Sequence, residues 1–149
     1  MYVSIDVGGT NSRIAIFNSF ENPKIHDIAT FPHSGGYSDD VKNIASSIKK
    51  MTNERVDGIG MSIAGLLNKD KSQLQVCPNL PGWMGQPIKS DLMEIFDCPV
   101  VLDNDGAATA LGEAMFGHGR GRDFLFLIWG TGIGGTAVEN VNGQLHVSP

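Results

Sequence analysis

Only two cysteines occur, Cys77 and Cys98, and they form no CxxC pair. They read as small buried hydrophobes of a reducing compartment, not as a disulfide framework. No apolar run approaches the roughly 20 residues of a membrane-spanning helix, so no membrane role is expected. Basic residues are scarce: 11 Lys and Arg against 16 Asp and Glu leave a formal net charge of −5. The sole basic clusters are Lys49-Lys50 and Arg120/Arg122, too little for a nucleic-acid footprint. Four scattered histidines, His26, His33, His118 and His146, make no HExxH or Cys/His zinc spacing. No GxxxxGK[ST] and no GxSxG occurs, which excludes a P-loop protein and a nucleophile-elbow hydrolase. The opening residues "MYVSIDV" alternate like a strand, so no signal peptide is expected and the cytoplasm is the expected compartment.

What is present is an ordinary globular balance, 41% hydrophobic and 18% charged, which supports a folded core rather than disorder. Val3, Ile5 and Val7 share one face of a first strand. Arg13–Asn18 predicts a second strand, buried on both faces through Ile14, Ala15, Ile16 and Phe17. Ile25–Phe31 predicts a third. Val41, Ile44, Ala45 and Ile48 follow helical spacing. Strands are expected over Val56–Ile63 and Pro99–Leu102, with a polar hairpin over Leu66–Val76. Helices are expected around Ile88, Leu92 and Ile95, and around Ala107, Leu111, Ala114 and Met115. After the glycine-rich stretch Gly117–Gly121, the apolar run Asp123–Trp129 and then Thr136–Val141 predict two further strands. The order is mixed α/β. The expected division is 1–118 and 119–149, the second part repeating the opening pattern of strand, glycine turn and strand.

That repeat is visible as "DVGGTNSRIAIF", Asp6 to Phe17, and "GTGIGGTAVENV", Gly130 to Val141. Paired glycines leave backbone amides uncovered, and successive amides form a nest suited to phosphate. The alternative is a plain hairpin turn. Asp6, ending the first strand, can hold a hard cation through water. Gly130, Gly132 and Gly135 spell GxGxxG, but "TAVENV" follows as a strand where a dinucleotide site requires a helix. In "VVLDNDGAATALGEA" a strand runs into Asp103-Asn104-Asp105 and then a helix. Asn104 or Asp105 therefore caps that helix. Alternatively, Asp105 accepts a proton from a substrate hydroxyl, as phosphoryl transfer requires.

Asp6-Val7-Gly8-Gly9-Thr10, then Asp103-Asn104-Asp105, then Gly130-Thr131-Gly132-Ile133-Gly134-Gly135, in that order, resemble the ROK family of bacterial sugar kinases and repressors. "SIAGLLN" and "PNLPGW" resemble its sugar-binding segments. The family belongs to the actin, hexokinase and heat-shock ATPase superfamily. The resemblance implies a ribonuclease H-like lobe with a mixed sheet and flanking helices, followed by the first strands of a second lobe. It further implies the N-terminal lobe of an ATP-dependent hexose kinase of glucokinase type, inactive alone as a fragment. Asp105 corresponds to the catalytic base. Gly65, Asn79, Asn104 and Asp105 correspond to substrate-binding positions. Asp6, Gly8, Gly9, Thr10, Asn11, Thr131, Gly132 and Gly134 correspond to phosphate or ATP positions, with Asp6 an indirect Mg²⁺ ligand. The implied cofactors are ATP and Mg²⁺, and the implied partner is a hexose or amino-hexose. The family's Cys-rich zinc motif does not occur in this chain. A homo-oligomer formed through the apolar strand 124–129 is also expected. The rival readings are a non-enzymatic sugar sensor or regulator of the same fold and a dinucleotide-binding protein.

Overall fold

The strand β1 (Tyr2–Val7) buries Val3, Ile5 and Val7 on one face, as its alternation requires. It pairs antiparallel with β2 (Asn11–Phe17), which pairs in turn with β3 (Ile25–Pro32). The chain then passes through α1 (Tyr37–Met51) to β4 (Gly58–Ile63), which lies parallel to β1 on its other side. A parallel neighbour needs such a crossover connection. β5 (Leu66–Leu67) and β6 (Leu74–Val76) form the expected hairpin. A 3₁₀ turn, Pro81–Trp83, leads to α2 (Ile88–Phe96) and to β7 (Val100–Asn104). The five-stranded sheet has the order β3-β2-β1-β4-β7, the mixed sheet that the resemblance implies.

The structure is a computed structural model that describes residues 1–149 except 22, 130–132 and 149. It divides into two units, Met1–Asp103 and Asn104–Pro149. In the first, Ile44 and Ile48 of α1 and Ile88 and Leu92 of α2 join β1, β2 and β4 in one core. α1 carries Asp39 and Asp40 in its first turn and Lys49 and Lys50 in its last, complementing the helix dipole. β2 is less enclosed than expected: Ile14 and Ile16 are buried, but Ala15 and Phe17 are only half-buried.

The second unit is α3 (Asp105–Phe116) on an antiparallel sheet of order β10-β9-β8, built from β8 (Phe124–Trp129), β9 (Ile133–Val141) and β10 (Gln144–Ser148). Ala110 and Ala114 bring the helix close enough to pack Val138, with Phe124, Phe126, Leu145 and Val147 around them. The expectation of merely the first strands of a second lobe is therefore corrected. These residues form a whole small sheet with its own helix and apolar core. The strand missed from sequence, β10, follows Asn142-Gly143, whose φ angles of 53° and 84° suit a two-residue hairpin turn. β8 alternates rather than burying throughout: Phe124 and Phe126 face α3, while Leu125, Leu127 and Trp129 are exposed.

Candidate functional site

In the first unit the turn Gly8–Asn11 joins β1 to β2. The Gly8 amide donates to the Asn11 carbonyl at 3.1 Å, and the His33 amide donates to the Thr10 carbonyl at 3.0 Å. Gly9 and Thr10 lie exposed at the tip. Neither Gly8 nor Gly9 has a positive φ, so this hairpin does not use the two-residue turn with positive φ that Gly-Gly favours. Gly9 is required for space. A Cβ there would stand 2.9 Å from the Asn79 Cβ and 3.1 Å from its Nδ2. The structure thus brings together Gly9, expected in the phosphate turn, and Asn79, expected in a sugar-binding segment. Asp6, at the β1 end, pairs in register with Ser62 of β4 and accepts from its hydroxyl at 2.7 Å. Gly65 has a backbone explanation. Its φ is +115°, and a Cβ there would collide with the Val76 carbonyl and stand 2.9 Å from the Cys77 Cβ.

Sequence reasoning missed a buried polar group behind the turn. Asp40, 1% exposed at the start of α1, accepts from the Ser34 amide at 2.6 Å and from the Trp83 indole N–H at 3.1 Å. His33 Nδ1 lies 3.4 Å from the same carboxylate. Burial pushes the Asp40 carboxyl up, but the Ser34 and Trp83 hydrogen bonds and the nearby His33 outweigh it, holding it below its ordinary value. Tyr37 donates to Asp91 at 2.7 Å and packs edge-on against Trp83. Burial, then the bond and charge of Asp91, push its phenol far above the ordinary range.

In the second unit Asn104 caps α3. Its side-chain oxygen accepts from the Gly106 amide at 2.9 Å and the Ala107 amide at 3.3 Å. Asp105 is the first helical residue, half-buried, its carboxylate accepting from the Gly106 amide at 2.9 Å. Gly106 lets the helix start sit on the sheet: a Cβ there would lie 3.2 Å from the Thr136 hydroxyl and 3.7 Å from the Ile128 side chain. The Asn104-Asp105 helix start and β9, which carries Gly134 and Gly135, are thus packed together. Thr131 and Gly132 lie outside the described residues. β9 is a strand where a dinucleotide fingerprint needs a helix, so that rival loses its structural context.

The donor set suits a nucleotide phosphate held by backbone and a cation held through water. Gly9 and Thr10 lie exposed at the tip of the turn, with Gly9 packed against Asn79. Asp6 is half-buried and engages Ser62 through one carboxylate oxygen. Among the described residues no three His, Cys, Asp or Glu gather as a direct metal site. No described helix is long and apolar enough to cross a membrane.

The first unit is a mixed sheet ending in a glycine turn, and the second packs a glycine-bearing strand on an Asn-Asp helix start, the α/β class of fold that the resemblance implies. The ROK family model matches residues 2–147, and the chain belongs to the ROK family. It is 34% identical over 149 residues to a glucokinase of Halalkalibacterium halodurans, covering 95% of this chain and 44% of that protein. It is 31% identical over 158 residues to an N-acetyl-D-glucosamine kinase of Yersinia pestis, covering 99% and 59%. The solved ROK hexokinase of Thermus thermophilus superposes with a TM-score of 0.81 at 28% identity, over 97% of this chain and 48% of that one. The chain spans about half the length of the curated relatives it matches. The family match is not confined to an N-terminal part of the chain. Together with the second unit's own sheet and core, this corrects the expectation of an N-terminal lobe followed by no more than the opening strands of a second.

Proposed function

We propose that this chain carries out ATP-dependent phosphorylation of a sugar hydroxyl, with a hexose or amino-hexose as substrate. One observation carries the reading: Asn104, not Asp105, supplies the helix cap. The sequence left those two roles open; Asn104 accepts from the Gly106 and Ala107 amides, while Asp105 engages the Gly106 amide through one carboxylate oxygen and keeps the other for a substrate hydroxyl. The Asp105 carboxylate accepts the proton of the attacking sugar hydroxyl and orients its oxygen. Gly65, Asn79 and Asn104 belong to the segments that hold the sugar. Gly8, Gly9, Thr10 and Asn11, with Thr131, Gly132 and Gly134, belong to the two segments that would hold the phosphates, the Gly8 amide itself being used within its turn. ATP with Mg²⁺ supplies the phosphoryl group when bound, and Asp6 holds the cation through water. Such sites work mainly by positioning and charge stabilisation. The names of the relatives support a hexose or amino-hexose. The test is ADP release from ATP and Mg²⁺ against a panel of both sugar types. Sugar-dependent turnover that Asp105→Asn abolishes supports the reading; turnover unaffected by that change overturns it.

The same reading includes self-association through residues 124–129. Among the described strands β8 is an edge, and Leu125, Leu127 and Trp129 are 65%, 63% and 86% exposed on one face, beside exposed Ile133. An unpaired edge with an apolar face is a template for another chain. Sedimentation of the chain against Leu127→Lys tests it, a monomer in both being the refuting result.

A further inference from the structure

The turn between β5 and β6 is built around one asparagine. The Asn68 side-chain oxygen accepts from the Ser72 amide at 2.8 Å and the Gln73 amide at 3.0 Å, and its side-chain nitrogen donates to the Ser72 hydroxyl at 3.0 Å. The Lys71 amide donates to the Asn68 carbonyl at 3.0 Å. Within this turn Lys71 has a φ of 50°, in the left-handed region. The other described non-glycine residues with positive φ are Asp97 and Asn142, residue types that tolerate it. Lysine has no such local advantage, so the backbone does not account for its presence. Its side chain does: the Lys71 ammonium reaches across 32 positions of sequence and donates to both carboxylate oxygens of Asp103, at 2.8 Å and 2.7 Å. Asp103 lies in β7, directly before Asn104 and Asp105.

We propose that Lys71 is a positioning residue: its two-pronged bond to Asp103 ties the β5–β6 turn to the end of β7 and so sets the backbone from which Asn104 and Asp105 follow. The proposal rests on the reading of Asp105 as the group that orients the sugar hydroxyl. Lys71 acts through Asp103, not on the substrate. A charge-assisted contact to both oxygens fixes where the carboxylate points, which a single contact leaves looser. The segment "SIAGLLN", expected to approach the sugar, ends at Asn68 in this same turn. The pair therefore joins two of the expected sugar-binding segments. Folding stability is not what it supplies. The two side chains are 51% and 30% exposed, and an ion pair so open to water adds little to stability. What it supplies is placement, and a displacement of about 1 Å at a reacting group costs up to about 10²-fold in rate.

Lys71→Met removes the charge and keeps the aliphatic stem. Lys69→Met is the control, removing an equal charge from an exposed residue two positions away. Nitrogen-15 NMR of the chain reads the backbone without requiring activity. In Lys71→Met the amides of Asn104, Asp105 and Gly106 should shift; in Lys69→Met they should stay in place. Asp103→Asn should shift them likewise, and adding Lys71→Met to it should change nothing further, because the lysine acts through that carboxylate. The urea midpoint of Lys71→Met should match wild type. With ATP, Mg²⁺ and the panel of hexoses and amino-hexoses, Lys71→Met should lower turnover by about 10-fold, and Lys71→Arg, which restores a forked donor, should recover most of it. Unmoved amides in Lys71→Met, or equal shifts in Lys69→Met, overturn the proposal. So does an effect of Lys71→Met that persists undiminished beside Asp103→Asn. The two claims separate cleanly. Amide shifts in a chain that turns over no sugar uphold the tie and remove the kinase reading. Sugar turnover that Lys71→Met leaves at the wild-type rate keeps the kinase reading and removes the positioning role.

Discussion

Replacing Gly65 by alanine should destabilise the first unit severely, for reasons that owe nothing to a sugar. Gly65 has a φ of +115°, where an L side chain is strained, at a cost of about 1–3 kcal/mol. Its Cβ would also meet the Val76 carbonyl, the Cys77 Cβ at 2.9 Å and Leu74 Cδ1 at 3.1 Å. The first obstacle is backbone in the β5–β6 hairpin, which cannot swing aside as a flexible side chain can. Overpacking of that kind costs roughly 1–3 kcal/mol more. The sum, roughly 2–6 kcal/mol, is a large share of the 5–15 kcal/mol that holds a typical domain together. Gly85 provides the control. Its φ is +71°, and a Cβ there would meet nothing within 4 Å, so Gly85→Ala carries the backbone cost alone, about 1–2 kcal/mol. Trp83, 1% exposed, reports the unfolding of this unit, whereas Trp129, 86% exposed, changes little. Urea melts followed by tryptophan emission should show the Gly65→Ala midpoint falling by about 2 M for the middle of that range, given an m value of about 2 kcal/mol/M. Equal midpoints for the two variants would refute the collision argument and return Gly65 to a purely ligand-facing role.

Asp105→Asn should lower sugar-dependent turnover by about 10²–10⁴-fold, the usual worth of a positioned acid–base group, while urea melts stay close to wild type because Asn104 holds the cap. On acidification, the stabilisation from Asp40 should be complete above the ordinary carboxylate range and should fade as pH drops through its lowered folded value. Trp83 emission during acid titration should show that phase, and Asp40→Asn should lack it. Cys77 and Cys98 are buried, and burial with the neighbouring Asp97 pushes the Cys98 thiol up, so neither should react with iodoacetamide until urea opens the core. Rapid labelling of either in the native chain would contradict their placement.

The periodic elements were legible. Val41, Ile44 and Ile48 line the buried face of α1 as their spacing requires, and Val3, Ile5 and Val7 do the same for β1. Spacing was less reliable at partly covered faces. Ile95, Leu111 and Met115 fit their helical stripes, yet all three are exposed. A stripe shows which side of a helix is apolar, not how far a neighbour extends over it. β10 had a local signal in Asn142-Gly143, but its strand "QLHVS" is short, and the alternation of one hydrophobic with one polar residue was easy to pass over. The chain does turn sharply at the paired glycines, between β1 and β2, but sequence did not show the second reason: Asn79, seventy residues away in the chain, occupies the space a Cβ on Gly9 would take.

The ring of His33 shows why the remainder was not legible. In sequence it stands in "PHSGGYSDD", a polar loop where a histidine has no periodic face and no motif spacing. Its partners come from three places: Gly8 from the first hairpin, Asp40 from the first turn of α1, and Trp83 from a 3₁₀ turn. Hydrophobic periodicity predicts which residues leave water together, but it does not predict which buried acceptors face each other. That pairing follows from the β1–β2 and β2–β3 registers, which set Asn11 opposite Pro32 and so deliver the next residue, His33, to the rim of the glycine turn. Asp40 is a case that composition hides: one carboxylate among sixteen acidic groups, buried with the Ser34 amide and the Trp83 indole donating to it and His33 beside it. The first glycine turn is therefore held from behind by His33, whose amide and ring reach the Thr10 and Gly8 carbonyls from outside the turn itself.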